Sequence, residues 1–189
     1  MIIIALGSNQ CGVWGEPKRA LQRALDELAK SGIGVLSVSA TYNTKAYSKI
    51  AQANFWNAVA LINTSMAPVP LLSKFKQIEA QAGRGRENNF KFQQNNWRPR
   101  PLDLDIIAYH NMVCNWDKTC PPCGRRVVLP HPRAHKRAFV LRPLSEIAPF
   151  WHHPIFGLTA QELLKCPGVA AVGTILAQGE PLGLPGNRA

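Results

Sequence analysis

Residues 97–109 read WRPRPLDLDIIAY, from Trp97 to Tyr109. The stretch sets two carboxylates, Asp103 and Asp105, inside an otherwise apolar run that predicts a strand over Leu102–Tyr109. In a strand, residues i and i+2 point to the same face. Asp103 and Asp105 therefore stand side by side, while Leu102, Leu104 and Ile106 fill the other face. Two anions about 6–7 Å apart at Cα repel each other unless cations sit between them. Arg98 and Arg100 lie just upstream, but an arginine at the same strand end reaches both oxygens poorly. Removing one carboxylate is then expected to leave the fold intact. Mg²⁺ held by carboxylate oxygens, with substrate phosphates completing its octahedron, is the chemistry that suits the pair. The plainer alternative is a solvent-facing strand whose exposed face happens to read Asp-x-Asp.

Upstream, Ile2–Leu6 predicts a buried strand, and Gly7-Ser8-Asn9 turns the chain. Neither a P-loop nor a dinucleotide-binding glycine fingerprint follows. Pro17 opens a helix with Ala20, Leu21, Ala24, Leu25 and Leu28 at helical spacing, closed by Gly32. Residues 35–44 and 55–63 predict two strands, and Pro68 opens a second helix closed by Gly83. With the 102–109 strand the order is β-α-β-β-α-β, a ferredoxin-like arrangement in an α+β fold. Residues 83–96 have no apolar period, and a loop of that length in a compact chain is usually functional or disordered. Thr159-Ala160-Gln161-Glu162 matches a capping box, and residues 166–189 read as a Gly/Pro-rich tail after a domain spanning 1–165.

A chain of 189 residues, 46% apolar and 17% charged, suffices for one well-buried core. No apolar run approaches the ~20 residues of a membrane span, and Met1–Asn9 lacks the basic flank of a signal peptide, so a cytoplasmic protein is expected. The net charge of +11 suits a polyanionic partner, nucleic acid or a nucleoside triphosphate. The basic residues recur in separate segments, Arg84/Arg86, Arg98/Arg100, Arg125/Arg126 and Arg133/Lys136/Arg137, which suits a converging phosphate pocket better than a linear tail. Five cysteines argue against a complete disulfide framework. His110, Cys114, Cys120 and Cys123 have spacing that could ligate zinc, with free thiols or a loose disulfide as alternatives.

The run RPRPLDLDII resembles the signature of 6-hydroxymethyl-7,8-dihydropterin pyrophosphokinases: Arg100, two residues, then Asp103-Leu104-Asp105 and Ile106-Ile107. Ala5-Leu6-Gly7-Ser8-Asn9, Phe55-Trp56-Asn57-Ala58, Gly83-Arg84-Gly85-Arg86, Leu129-Pro130-His131-Pro132 and Arg137-Ala138-Phe139 match in order. The resemblance covers about residues 1–150. It implies a ferredoxin-like core elaborated into an antiparallel sheet with helices on both faces. It also implies transfer of pyrophosphate from ATP to a reduced pterin, with two Mg²⁺ at Asp103 and Asp105. By the same resemblance Arg84, Arg86, Arg100, Arg126 and Arg137 hold phosphates, and Glu79 and His131 lie at the nucleotide. Phe55 and Phe139 sandwich the pterin, Thr44 and Asn57 line its edge, and Trp97 folds over the pocket. The implied partners are these small molecules, with neither nucleic acid nor membrane. Two departures stand out: Lys45-Ala46-Tyr47-Ser48 replaces the family's Pro-Gly segment, and Lys76 stands where the family often has Gln. A basic nucleic-acid-binding module and a paralogue acting on another heterocycle, or inactive, are the competing readings.

Overall fold

The structure is a computed structural model describing residues 1–46, 51–85, 99–116, 127–169 and 173–186. In chain order the elements are β1 (Ile2–Ser8), α1 (Pro17–Lys30), β2 (Gly34–Val38), β3 (Ala40–Thr44), β4 (Phe55–Asn63), α2 (Pro68–Gln81), β5 (Asp103–Tyr109), α3 (Ala138–Ile147), α4 (Ala160–Leu164) and β6 (Ile175–Pro181). Each of α1 and α2 starts on a proline, whose fixed φ and missing N–H suit the first turn. Past their ends Gly32 and Gly83 take φ of 74° and 106°, a left-handed conformation that glycine adopts without cost.

The sheet runs β5-β1-β4-β3-β6, with β2 also pairing β4. Every strand pair among the described residues is antiparallel. Alternation along the strands sends Ile2, Ile4 and Leu6 to one face, under Leu21, Leu25 and Leu28 of α1 and Leu71, Phe75 and Ile78 of α2. Leu102, Leu104 and Ile106 bury on that face too, at 0%, 0% and 5% exposure, as the strand period predicts. The opposite face carries Ile3, Val59 and Ile107 beneath α3 and α4. The fold is therefore α+β with helices on both faces of the sheet.

The stretch 35–44, expected as one strand, breaks at Ser39 into β2 and β3. Ser39 bonds Val59 twice, its N–H donating to the Val59 carbonyl at 3.0 Å and its Oγ accepting the Val59 N–H at 3.0 Å. The supposed tail also carries structure, because Ile175–Pro181 pairs with β3 as β6. Outside these strands, Cys114 and Leu129 form an isolated antiparallel bridge. The capping box forms, Thr159 Oγ1 accepting from Glu162 N and the Glu162 side chain accepting from Thr159 N. No helix among the described residues is long and apolar enough to cross a membrane.

Candidate active site

The site lies on the face that α3 and α4 leave partly open, around the end of β1. The register of β5, β1 and β4 aligns Asp103, Gly7 and Asn57 in one row across three strands, and Asp105, Ala5 and Val59 in the next. The two carboxylates share this face, as i and i+2 must. Gly7 keeps the floor low: a Cβ there would stand 3.0 Å from Asn57 Oδ1 and 3.7 Å from Phe55 Cδ1. Phe55, two residues before Asn57, lies on the same face and is half-buried. Asn57 Nδ2 donates to Thr44 Oγ1 at 2.8 Å, and both side chains are nearly sealed from solvent. Phe55, Asn57 and Thr44 thus form one end of the site, beside the row that ends in Asp103.

Asp103 is not an uncompensated anion. Arg84 Nη1 pairs with Asp103 Oδ1 at 2.8 Å, and Arg100 Nη1 with Asp103 Oδ2 at 2.5 Å. Two arginines from different segments take one oxygen each, which removes the difficulty of a single arginine reaching both. Burial works against the Asp103 anion, but Arg100, Arg84 and Lys76 outweigh it and hold its pKa below the usual carboxylate range. Burial likewise opposes the Arg84 cation, and Asp103 and Glu79 outweigh it and raise its pKa.

Glu79 stands at the inner end of this ion-pair network. It is 1% exposed, and its Oε1 accepts the Leu104 N–H at 2.8 Å. Lys76 Nζ pairs with Oε1 at 2.7 Å and Arg84 Nη1 with Oε2 at 2.5 Å. The carboxylate therefore ties α2 to the outer edge of β5 and steadies Arg84 against Asp103. Lys76 is part of this network.

Asp105 is freer. Among the described residues it meets His131, with Nε2 at 3.8 Å from Oδ2. A β-bulge puts His131 there. The pairing of β1 with β5 slips between Ile3 and Ile4, so that Ile107 and Ala108 both bury beneath α3 and α4. The bulged Ile107 carbonyl accepts the His131 N–H at 2.8 Å. Burial, partly opposed by Asp105 and reinforced by Arg137 and Arg133, pushes the His131 pKa down to about 4. The imidazole is thus neutral at neutral pH. Burial also lowers the Arg137 pKa.

Arg137 lies over Phe139, with its Cζ 5.4 Å from the ring centroid. The Phe139 ring rests against the backbone of Gly173, where a Cβ would come within 2.2 Å of it. The next residue, Thr174, accepts the Lys45 N–H at 2.9 Å, so Phe139 stands at the Thr44 end of the site. Arg86, Trp97 and Arg126 lie outside the described residues, as do Tyr47, Ser48, Cys120 and Cys123. His110 Nδ1 meets the Met1 amine at 2.9 Å, and among the described residues no three His, Cys, Asp or Glu side chains group as a metal site. Asp103 and Asp105 nevertheless suit Mg²⁺, which keeps water and phosphate ligands and needs only one or two carboxylates.

The model of the 7,8-dihydro-6-hydroxymethylpterin-pyrophosphokinase family matches residues 3–149. The chain belongs to this family. Its relatives include three proteins named 2-amino-4-hydroxy-6-hydroxymethyldihydropteridine pyrophosphokinase. The one from Methylorubrum extorquens is 37% identical over 77% of this chain and 81% of its own. The one from Pseudomonas aeruginosa is 32% identical over 88% and 91%. The one from Synechocystis is 34% identical over 96% and 83%. The folic acid synthesis protein fol1 of Pneumocystis carinii is 32% identical over 84% of this chain, which spans only 19% of that longer protein. In this pyrophosphokinase chain Gly7 and Ser8, expected to turn the chain, lie within β1. The signal for Gly7 is in the motif itself, since a glycine inside a buried strand marks a close approach.

Proposed function

We propose that the protein transfers the terminal pyrophosphoryl group of ATP to the hydroxymethyl group of 6-hydroxymethyl-7,8-dihydropterin, in folate biosynthesis. The pterin hydroxyl oxygen bonds to the β-phosphorus, the bond from that phosphorus to the α–β bridging oxygen breaks, and AMP leaves. The hydroxyl proton is released. The observation that carries this reading is the row Asp103–Gly7–Asn57, which puts an acidic, arginine-ringed pole and an aromatic and amide pole on either side of one intervening strand. The first suits a metal triphosphate and the second a flat heterocycle.

In this reading Asp103 and Asp105 hold two Mg²⁺. Bound there, the ions neutralise the triphosphate and draw electron density from the phosphorus under attack. Arg84 and Arg100, with Arg86, Arg126 and Arg137, grip phosphate oxygens as charge shifts toward AMP. His131, neutral beside Asp105, offers a ring nitrogen to the nucleotide. Phe55 and Phe139 clamp the ring, and Asn57 and Thr44 read its polar edge, with Trp97 closing over it. The +11 charge then serves a triphosphate and not nucleic acid. The cytoplasm, where Mg-ATP is abundant, is the compartment that suits the reaction.

The test is direct. Protein mixed with Mg-ATP and 6-hydroxymethyl-7,8-dihydropterin should release AMP and pterin diphosphate in equal amounts, and chelation should stop it. Release of ADP, or no reaction with this pterin under conditions where Mg-ATP binds, would overturn the proposal.

A further inference from the structure

The two poles of the site are joined by one buried side chain. Asn9 is 4% exposed and immediately follows β1. Its Oδ1 accepts the Arg100 N–H at 2.7 Å, and its own N–H donates to the Arg100 carbonyl at 3.0 Å. Its Nδ2 donates to the Ala53 carbonyl at 3.1 Å and to Gln52 Oε1 at 3.2 Å. The amide orientation is fixed by these neighbours, since a backbone N–H can only donate and a carbonyl can only accept. Arg100 lies three residues before Asp103, and Ala53 two before Phe55. Next to it, Ser8 Oγ donates to the Pro101 carbonyl at 2.7 Å. The same loop reaches the end of α2: Val13 N–H donates to Ala82 O at 3.1 Å, and a Cβ on Gly12 would stand 2.4 Å from that oxygen.

We infer that Asn9 is a positioning residue that couples the ring-binding pole to the phosphate-binding pole, by holding the approach to Phe55 and the approach to Asp103 on opposite ends of one amide. This rests on the transfer reaction proposed above. A buried amide with acceptor and both donors satisfied has one arrangement, so it fixes the two approaches relative to each other, and losing the bonds at one end frees that approach alone. No other side chain of this length offers an acceptor toward Arg100 and two donors toward residues 52 and 53. Aspartate keeps the first and sets an oxygen against two acceptors in place of the second.

The experiment separates the two ends. Asn9→Asp should raise the KM for pterin by about tenfold or more, the worth of a lost buried hydrogen bond and a new repulsion, with the KM for ATP changed by less than about threefold. Asn9→Ala should also lower kcat by about tenfold, because Arg100 loses its anchor too. Gln52→Ala, a milder change, should raise the pterin KM alone and serves if the Asn9 variants do not fold. Equal losses in both KM values for folded Asn9→Asp, or an unchanged pterin KM in Gln52→Ala, would overturn the coupling. If wild type has no pterin turnover, the proposed reaction fails and the coupling is read from amide exchange instead. Asn9→Asp must then keep protection at Arg100 N–H and Asn9→Ala must lose it, and any other pattern overturns the inference.

Discussion

The carboxylate of Glu79 accepts the backbone N–H of Leu104 at 2.8 Å, so a helix side chain caps the open edge of β5. Leu104 is fully buried between the two carboxylates of the site, and its N–H would otherwise lack a partner. Glu79→Ala should cost about 1–3 kcal/mol, the penalty of an unsatisfied buried donor. Glu79→Gln keeps an acceptor for Leu104. Burial raises the Glu79 pKa against the pull of Lys76 and Arg84. A carboxyl with a raised folded pKa contributes its stability below the unfolded pKa and loses it as pH rises through the folded one. Glu79→Gln should therefore match or exceed wild type in urea denaturation at neutral pH, with the difference shrinking in acid. If Gln proved as damaging as Ala, the cap would not be what Glu79 contributes.

Asp103 and Asp105, alike in sequence, should separate on substitution. Asp103 carries two arginine pairs, and Asp105 has His131 at 3.8 Å. Asp103→Asn should destabilise the free protein by about 1.5–3 kcal/mol, the range for charge-assisted hydrogen bonds. Asp105→Asn should stay within about 0.5 kcal/mol. The folded pKa of Asp103 is depressed, so its contribution is present above the unfolded pKa and lost as pH falls through the folded one. The gap between Asp103→Asn and wild type should accordingly close in strong acid. Both variants should lose about a hundredfold or more in turnover, as several kcal/mol of metal stabilisation disappear. Equal stability of the two variants at neutral pH would contradict the arginine pairing.

Much of this was legible along the chain and some could not be. The Asp-Leu-Asp alternation predicts buried Leu102, Leu104 and Ile106, and all three are buried. Helical spacing with prolines at the starts predicts α1 and α2, and both form. What local pattern lacks is the partner. Ile175–Pro181 contains Gly179 and ends on a proline, with no alternation, and becomes a strand because β3 offers it an edge. Asp103 reads as an exposed, repelled anion because Arg84 is nineteen residues away and meets it only in the fold. Inward-facing Glu79 follows from the helix period, yet its acceptor role depends on the Leu104 N–H, which no side-chain pattern records.

Acid should weaken the protein through His153. This imidazole is 1% exposed and stands among Trp116, Trp151, Phe156 and His135, with ring centroids 4.7–5.8 Å away. Burial, with the neighbouring His135, pushes its pKa down to about 4. A base with a depressed folded pKa leaves stability intact above its unfolded pKa, about 6.5, and withdraws it as pH falls toward the folded value. The melting temperature should decline between about pH 6.5 and 4. His153→Asn keeps a side-chain partner for the Ile155 N–H, which His153 Nδ1 accepts at 3.3 Å, but removes the titration. That variant should start lower and show a shallower decline across the window, with His131 and His135 accounting for what slope is left. An unchanged slope would assign the acid sensitivity elsewhere.

Gly7→Ala should act on one pole of the site alone. Gly7 lacks a positive φ, so alanine meets no backbone strain there, and the lost freedom of the unfolded chain favours it by about 0.4–1 kcal/mol. Against this, the new methyl would lie 3.0 Å from Asn57 Oδ1 and 3.7 Å from Phe55 Cδ1. The first contact is too close to leave Asn57 in place, and moving it strains its 2.8 Å hydrogen bond to Thr44. Among the described residues these two side chains are the neighbours within 4 Å, so Asp103 and its arginines are not touched. The two contributions to stability oppose each other, and the melting temperature should shift little. Pterin affinity should fall by about tenfold, equivalent to ~1.4 kcal/mol of displaced amide and ring contacts, while affinity for a Mg-ATP analogue stays near wild type. Calorimetry with the analogue alone, and then with 6-hydroxymethylpterin added to the analogue complex, reads both quantities. Loss of nucleotide affinity with pterin binding intact would place the heterocycle away from Phe55 and Asn57, and the division of the site into two poles about Gly7 would fail.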